Sequence, residues 1–114
     1  MSLRDSITAT VVAELATACE KFAPMNSAHE GWAVILEEVD ELGEEFEQIN
    51  GLTRGMFQSV RKNDPGAARA EAELIALVAE RAAVEAVQVA AMAKRFLTDV
   101  PASDQPTEGG ARDA

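Results

Sequence analysis

The sequence predicts an all-α fold: an antiparallel bundle of three to five helices, completed by oligomerisation. Three observations support this. The chain is rich in Ala, Glu, Val and Leu and contains one Trp and no Tyr; Ala is the best helix former, whereas strands recruit aromatic and β-branched residues. Apolar residues recur at intervals of three and four along most of the chain, the period of one helix face. A length of 114 residues suits one domain with a thin core, which small helical proteins often supplement by self-association.

Residues 4–22 read as a first helix, with Ile7, Val11, Leu15, Ala18 and Phe22 on one face. Pro24 ends it, because the residue before a proline is pushed out of the α region. Ser27-x-x-Glu30 has the capping-box form and opens a second helix. Its stripe is Trp32, Ile35, Leu36, Val39, Leu42, Phe46 and Ile49, and Asn50-Gly51 supplies a stop. Leu52, Met56, Phe57 and Val60 then suggest a short separate helical segment over 52–63. Asp64-Pro65 is a good helix start, Asp capping and Pro at the first helical position. From there to Val100 nothing interrupts a helix after Gly66, and Ile75, Ala82, Val89 and Phe96 recur every seven residues. Residues 1–100 therefore form one helical domain. The tail 101–114 has nothing to bury and is expected to be disordered.

A net charge of -10 argues against nucleic acid and against an anionic membrane surface, both of which call for clustered Lys and Arg. No run reaches the ~18 apolar residues of a membrane helix. The lone Cys19 allows no internal disulfide. A cytoplasmic location is the expectation. An anionic small molecule stays open if a cation bridges it to the protein.

Residues 37–48 carry Glu37, Glu38, Asp40, Glu41, Glu44, Glu45 and Glu47. Such a run is usually a solvated helix face. However, at 100° per residue Glu38 falls about 80° from the centre of the apolar stripe, Glu45 about 100° and Glu41 about 140°. Glu38, Glu41 and Glu45 thus form one ridge at i, i+3, i+7 whose like charges repel. A hard divalent cation, Mg²⁺ or Mn²⁺, would compensate them. On the last helix Glu85 and Gln88 share a face with Arg81, Met92 and Arg95 in apolar surroundings. A carboxylate there needs a partner. Either Arg81 at i, i+4 spacing or a basic residue elsewhere pairs with it, or Glu85 faces Glu38 and Glu41 across the helix interface with a metal between them, as in bundle metal sites.

The segments HEGWAVILEEVDEL (29–42) and EAVQVAAMAKRF (85–96) together resemble the MazG-like all-α nucleoside triphosphate pyrophosphohydrolases of phage and bacteria. That family carries Glu-Glu-x-x-Glu on one helix and Glu-x-x-Asp on a later one. Glu37, Glu38 and Glu41 match the first; Glu85 matches the second, with Gln88 where the pattern has Asp. The resemblance covers 27–99 and implies Mg²⁺-dependent cleavage of an NTP or dNTP to the monophosphate and pyrophosphate. It makes Glu38, Glu41 and Glu85 metal ligands, with Gln88 as an uncharged ligand at the fourth position. Glu37 becomes a ligand or the base that orients the attacking water. Arg81, Lys94 and Arg95 become candidates for the leaving pyrophosphate. It also implies a homodimer or homotetramer. A reading from another class is a non-catalytic helical homodimer that uses the same fold for protein contacts.

Smaller signals point to structure. His29 reads as a capping-region residue, Cys19 as an inert, partly buried thiol and Trp32 as core or interface. Gly31 and Gly43 cost helix stability, which a close helix approach at a dimer seam would explain.

Overall fold

The computed structural model describes residues 1–102; most of the tail foreseen as disordered lies outside them. The described chain is all-α. Its helices are α1 (Leu3–Lys21), α2 (Ala28–Arg61) and α3 (Pro65–Asp99). α2 and α3 pack antiparallel along their length, and α1 packs on α3 without an element contact to α2. The result is elongated, 69 × 31 × 24 Å.

Each helix starts on a side-chain cap. Ser2 Oγ accepts from the Asp5 N–H at 3.0 Å while the Asp5 carboxylate accepts from the Ser2 N–H, a complete capping box. Ser27 Oγ accepts from the Glu30 N–H at 3.1 Å, but the Glu30 carboxylate reaches back to Asn26 N at 2.7 Å, one residue beyond the box. Asp64 Oδ1 accepts from the Ala67 N–H at 3.1 Å, with Pro65 leading the helix. In each case the side chain satisfies an N–H that the helix cannot.

The expected stop at Asn50-Gly51 does not occur. α2 runs through it, so the separate segment over 52–63 is the last third of one helix. A glycine costs ~1 kcal/mol in a helix interior, and packing on α3 outweighs that: Leu52 and Met56 are partly buried, and the Ser59 hydroxyl donates to Glu71 at 2.8 Å. The true stop lies twelve residues on. Asn63 takes φ 56°, its N–H donates to Val60 O, and the Asp64 N–H donates to Ser59 O. These are the two bonds of a Schellman cap with Asn at the left-handed position.

The main core cluster lies where α1, the α1–α2 loop and the start of α2 each pack on the last third of α3. Val11 and Ala18 from α1, Met25 from the connecting loop, and Ala91 and Met92 from α3 are buried there, backed by Val34, Ile35 and Phe96. Gly31 belongs to this contact: a Cβ on it would stand 2.5 Å from Phe96 Cδ2. Its close approach is therefore within the chain. The α1–α2 loop is tied down by α3. The Arg95 guanidinium donates to Ala23 O and lies over the Phe22 ring, while Asp99 accepts from the Met25 N–H at 3.0 Å.

The single stripe read on α2 divides in two. Ile35, Leu42 and Ile49 turn towards α3 and are partly buried. Trp32 (55% exposed), Leu36, Val39 and Phe46 (61%) stay in solvent. The packed face is centred closer to Glu38 and Glu45 than the stripe's average direction implies.

Candidate metal centre

α2 and α3 bring three carboxylates together. Glu38 and Glu41 stand one turn apart on α2 and Glu85 faces them from α3. One oxygen from each falls in a group whose members all lie within 4.8 Å of one another. Glu38 and Glu85 are half-buried and Glu41 is exposed. Glu85 Oε1 is fully shielded from solvent and meets no hydrogen-bond donor among the described residues. An anionic oxygen left that way is costly, and a cation is the partner that would satisfy it.

The electrostatics carry the same signature. Burial pushes the Glu38 carboxyl above its ordinary value, and the charges of Glu41 and Glu37 add to this, opposed by a hydrogen bond with Glu85. Glu41 is raised chiefly by a side-chain hydrogen bond with Glu85, then by the Glu85 charge. Without a cation, the cluster recruits protons to relieve its repulsion.

The rest of the ridge resolves differently. Glu45 leaves the cluster to pair with Arg81 at 2.9 Å, and Arg81 also reaches Gln48 at 3.4 Å. Arg81 is therefore neither the partner of Glu85 nor free of other contacts. Glu37 is exposed and, with Glu38, lines a cleft of about 450 Å³ formed by the α1–α2 loop, the start of α2 and the end of α3. Arg95 lines its far wall but is only 6% exposed; its Nε lies 3.3 Å from Asp99, short of hydrogen-bond alignment, and its Nη2 serves Ala23. Lys94 is exposed and forms no ion pair among the described residues.

Gln88 sits one turn beyond Glu85, and its Nε2 donates to Glu14 Oε1 at 2.7 Å. Glu14 went unremarked in the sequence. The signal was available: it stands three residues after Val11 and four before Ala18, a carboxylate on the border of the α1 apolar face. Cys19, expected to be partly buried, is exposed. His29 stacks loosely on Trp32, with ring centroids 5.8 Å apart.

This group of carboxylate oxygens, with Glu41 exposed to solvent, could hold a metal ion. No protein-family profile, curated protein or solved structure matches the chain. The described residues thus form a three-helix, all-α structure with an acidic Glu cluster across two helices, and no described helix is long and apolar enough to cross a membrane.

Proposed function

We propose that Glu38, Glu41 and Glu85 hold Mg²⁺ or Mn²⁺, and that the protein is a MazG-like nucleoside triphosphate pyrophosphohydrolase. The observation that carries this reading is the meeting of three carboxylates from two helices around a buried, unpartnered Glu85 oxygen. When bound, the cation neutralises phosphate charge and polarises the phosphorus under attack. Glu37, beside the cluster at the mouth of the cleft, takes the proton of the attacking water. The water oxygen bonds to the α-phosphorus, the bond to the bridging oxygen breaks, and that oxygen leaves with pyrophosphate. The cleft of about 450 Å³ falls in the size range of small-molecule sites and would receive the nucleoside. Of the three cationic candidates only Arg95 lines the cleft; Arg81 pairs with Glu45, and Lys94, exposed and half a turn around α3 from Glu85, does not line it.

Gln88 favours the second reading, a non-catalytic helical homodimer. Its amide is engaged with Glu14, and it brings no charge to the cluster. A panel of NTPs and dNTPs with Mg²⁺ or Mn²⁺, assayed for pyrophosphate, separates the two. Release by the native chain and none by Glu38→Ala supports hydrolysis. Equal release by both removes the site; no release by either, with Mn²⁺ binding retained in a titration, leaves a metal-binding protein without turnover.

A further inference from the structure

α1 brings a fourth carboxylate close to the acidic cluster, and the fold gives it a single hydrogen-bond donor. Glu14 is half-buried, forms no ion pair among the described residues, and accepts from Gln88 Nε2 alone, at 2.7 Å. An ionised carboxylate accepts and cannot donate, so Glu14 admits one orientation of the Gln88 amide, with its nitrogen towards α1. The Gln88 oxygen accepts nothing from the described residues.

The register of α2 on α3 puts that amide beside the cluster. Glu45 pairs with Arg81 and Glu41 hydrogen-bonds with Glu85 at one antiparallel register, and the next turn along it sets Gln88 level with Glu38. Around α3, Gln88 lies about 60° from Glu85, on the side towards α1. Residues three apart on a helix are neighbours, so the Gln88 nitrogen is within reach of Glu85 Oε1, the shielded oxygen that has no donor. It goes to Glu14 instead, and the Glu85 oxygen is left unpartnered. An amide placed here only to relieve buried negative charge would be turned the other way.

We infer that Glu14 is a positioning residue for the proposed metal site: by holding the Gln88 nitrogen at α1, it leaves the Gln88 oxygen as a fourth protein ligand beside Glu38, Glu41 and Glu85. Glu14 acts through Gln88 and does not touch the cation. An amide whose N–H donates to an anion carries more negative charge on its oxygen, so Glu14 also offsets part of the charge that Gln88 lacks. Partners that orient a metal ligand in this way are worth about 10- to 100-fold in affinity. The inference rests on the metal reading of the cluster and is independent of turnover.

Mn²⁺ titration followed by electron paramagnetic resonance tests it, with urea unfolding to show that each variant folds. Glu14→Gln keeps the shape of the side chain but accepts either orientation of the Gln88 amide, and should weaken Mn²⁺ binding about 10-fold or more. Gln88→Ala should weaken it similarly, and Glu14→Gln added to Gln88→Ala should change it no further. The exchanged pair, Glu14→Gln with Gln88→Glu, returns a donor to α1 and places a charged ligand on α3. It should bind Mn²⁺ at least as tightly as the native chain. Affinity unchanged by Glu14→Gln overturns the inference and leaves the metal site standing. So does an equal fall in the native and Gln88→Ala backgrounds, which would mark Glu14 as a distant charge only. A native chain that binds no Mn²⁺ removes the site and the inference together.

Discussion

Gln88 donates its side-chain amide to the Glu14 carboxylate at 2.7 Å, joining α1 to α3 across 74 residues of sequence, one turn from Glu85. Glu14, Gln88 and Glu85 thus form a graded series: a carboxylate bound by an amide, then a carboxylate with an unpartnered buried oxygen. An Asp at position 88 would set two anions against each other where α1 meets α3. Gln is the side chain that keeps α1 docked.

Replacing Gln88 by Glu should therefore destabilise the fold by about 1–3 kcal/mol at neutral pH, the cost of losing a partly buried hydrogen bond and placing like charges in contact. Glu14→Gln added to Gln88→Glu restores a donor–acceptor pair with the roles exchanged and should recover most of the loss. Urea unfolding of the two single variants and the double measures the coupling. Strictly additive effects would show that the contact does not contribute.

The acidic cluster predicts how stability changes with pH. Glu38 and Glu41 both hold their protons more tightly in the fold than in the unfolded chain. Between the ordinary value near 4.5 and the raised ones, the native state carries the extra protons. Stability from this source is present below that interval and lost as pH rises through it. Melting temperatures of the native chain and Glu41→Gln should be close in mild acid and diverge towards neutrality, with the variant higher. Millimolar Mg²⁺ should raise the native chain's melting temperature at neutral pH, as any ligand of the folded state does, and leave Glu41→Gln less affected. A native chain that shows no Mg²⁺ response at any pH would rule out the site.

The fold class and the caps at Ser27 and Asp64 were legible because each is local or follows from helical period; the meeting of Glu38 and Glu41 with Glu85 was one of the alternatives that the residues left open. What was hidden depends on how the helices face one another. Asn50-Gly51 carries a stop signal, but α3 is long enough to give residues beyond it something to pack on, and Asn63 ends α2 instead. Glu45 and Arg81 looked like members of the site. Their separation into an ion pair follows from the register of α2 on α3, which no single helix encodes. The stripe from Trp32 to Ile49 looked like one face because its two halves, one for α3 and one in solvent, are adjacent on the helix.

Gly31 sets how closely α2 approaches α3. A Cβ there would fall 2.5 Å from Phe96 Cδ2 and 3.0 Å from Met25 Sδ, so Gly31→Ala forces the ring or the sulfur to move within the core. The expected loss is about 1–3 kcal/mol despite the better helix propensity of Ala. Phe96→Leu in the same chain should make the alanine cheaper than it is alone. Gly43→Ala, with open space around it, should instead stabilise an isolated protomer by up to ~1 kcal/mol. Thermal unfolding of the two variants measures both terms. Equal effects at the two glycines would contradict the packing described here.

The α2–α3 turn depends on Asn63 at φ 56°, a conformation that costs a side chain with Cβ roughly 1 kcal/mol or more and glycine almost nothing. Asn63→Gly should be neutral to slightly stabilising, and Asn63→Ala should lose about 1 kcal/mol, because the Schellman bonds from Asn63 N and Asp64 N must then form against greater backbone strain. Asp64→Ala removes the cap on Ala67 N at the same turn and should cost a similar ~1 kcal/mol. The two residues are adjacent but act on different helices, Asn63 on the end of α2 and Asp64 through its side chain on the start of α3. Amide hydrogen exchange separates them: Asn63→Ala should loosen the Asn63 and Asp64 amides, and Asp64→Ala the Ala67 amide. The reverse pattern would mean that the turn is held by some other contact.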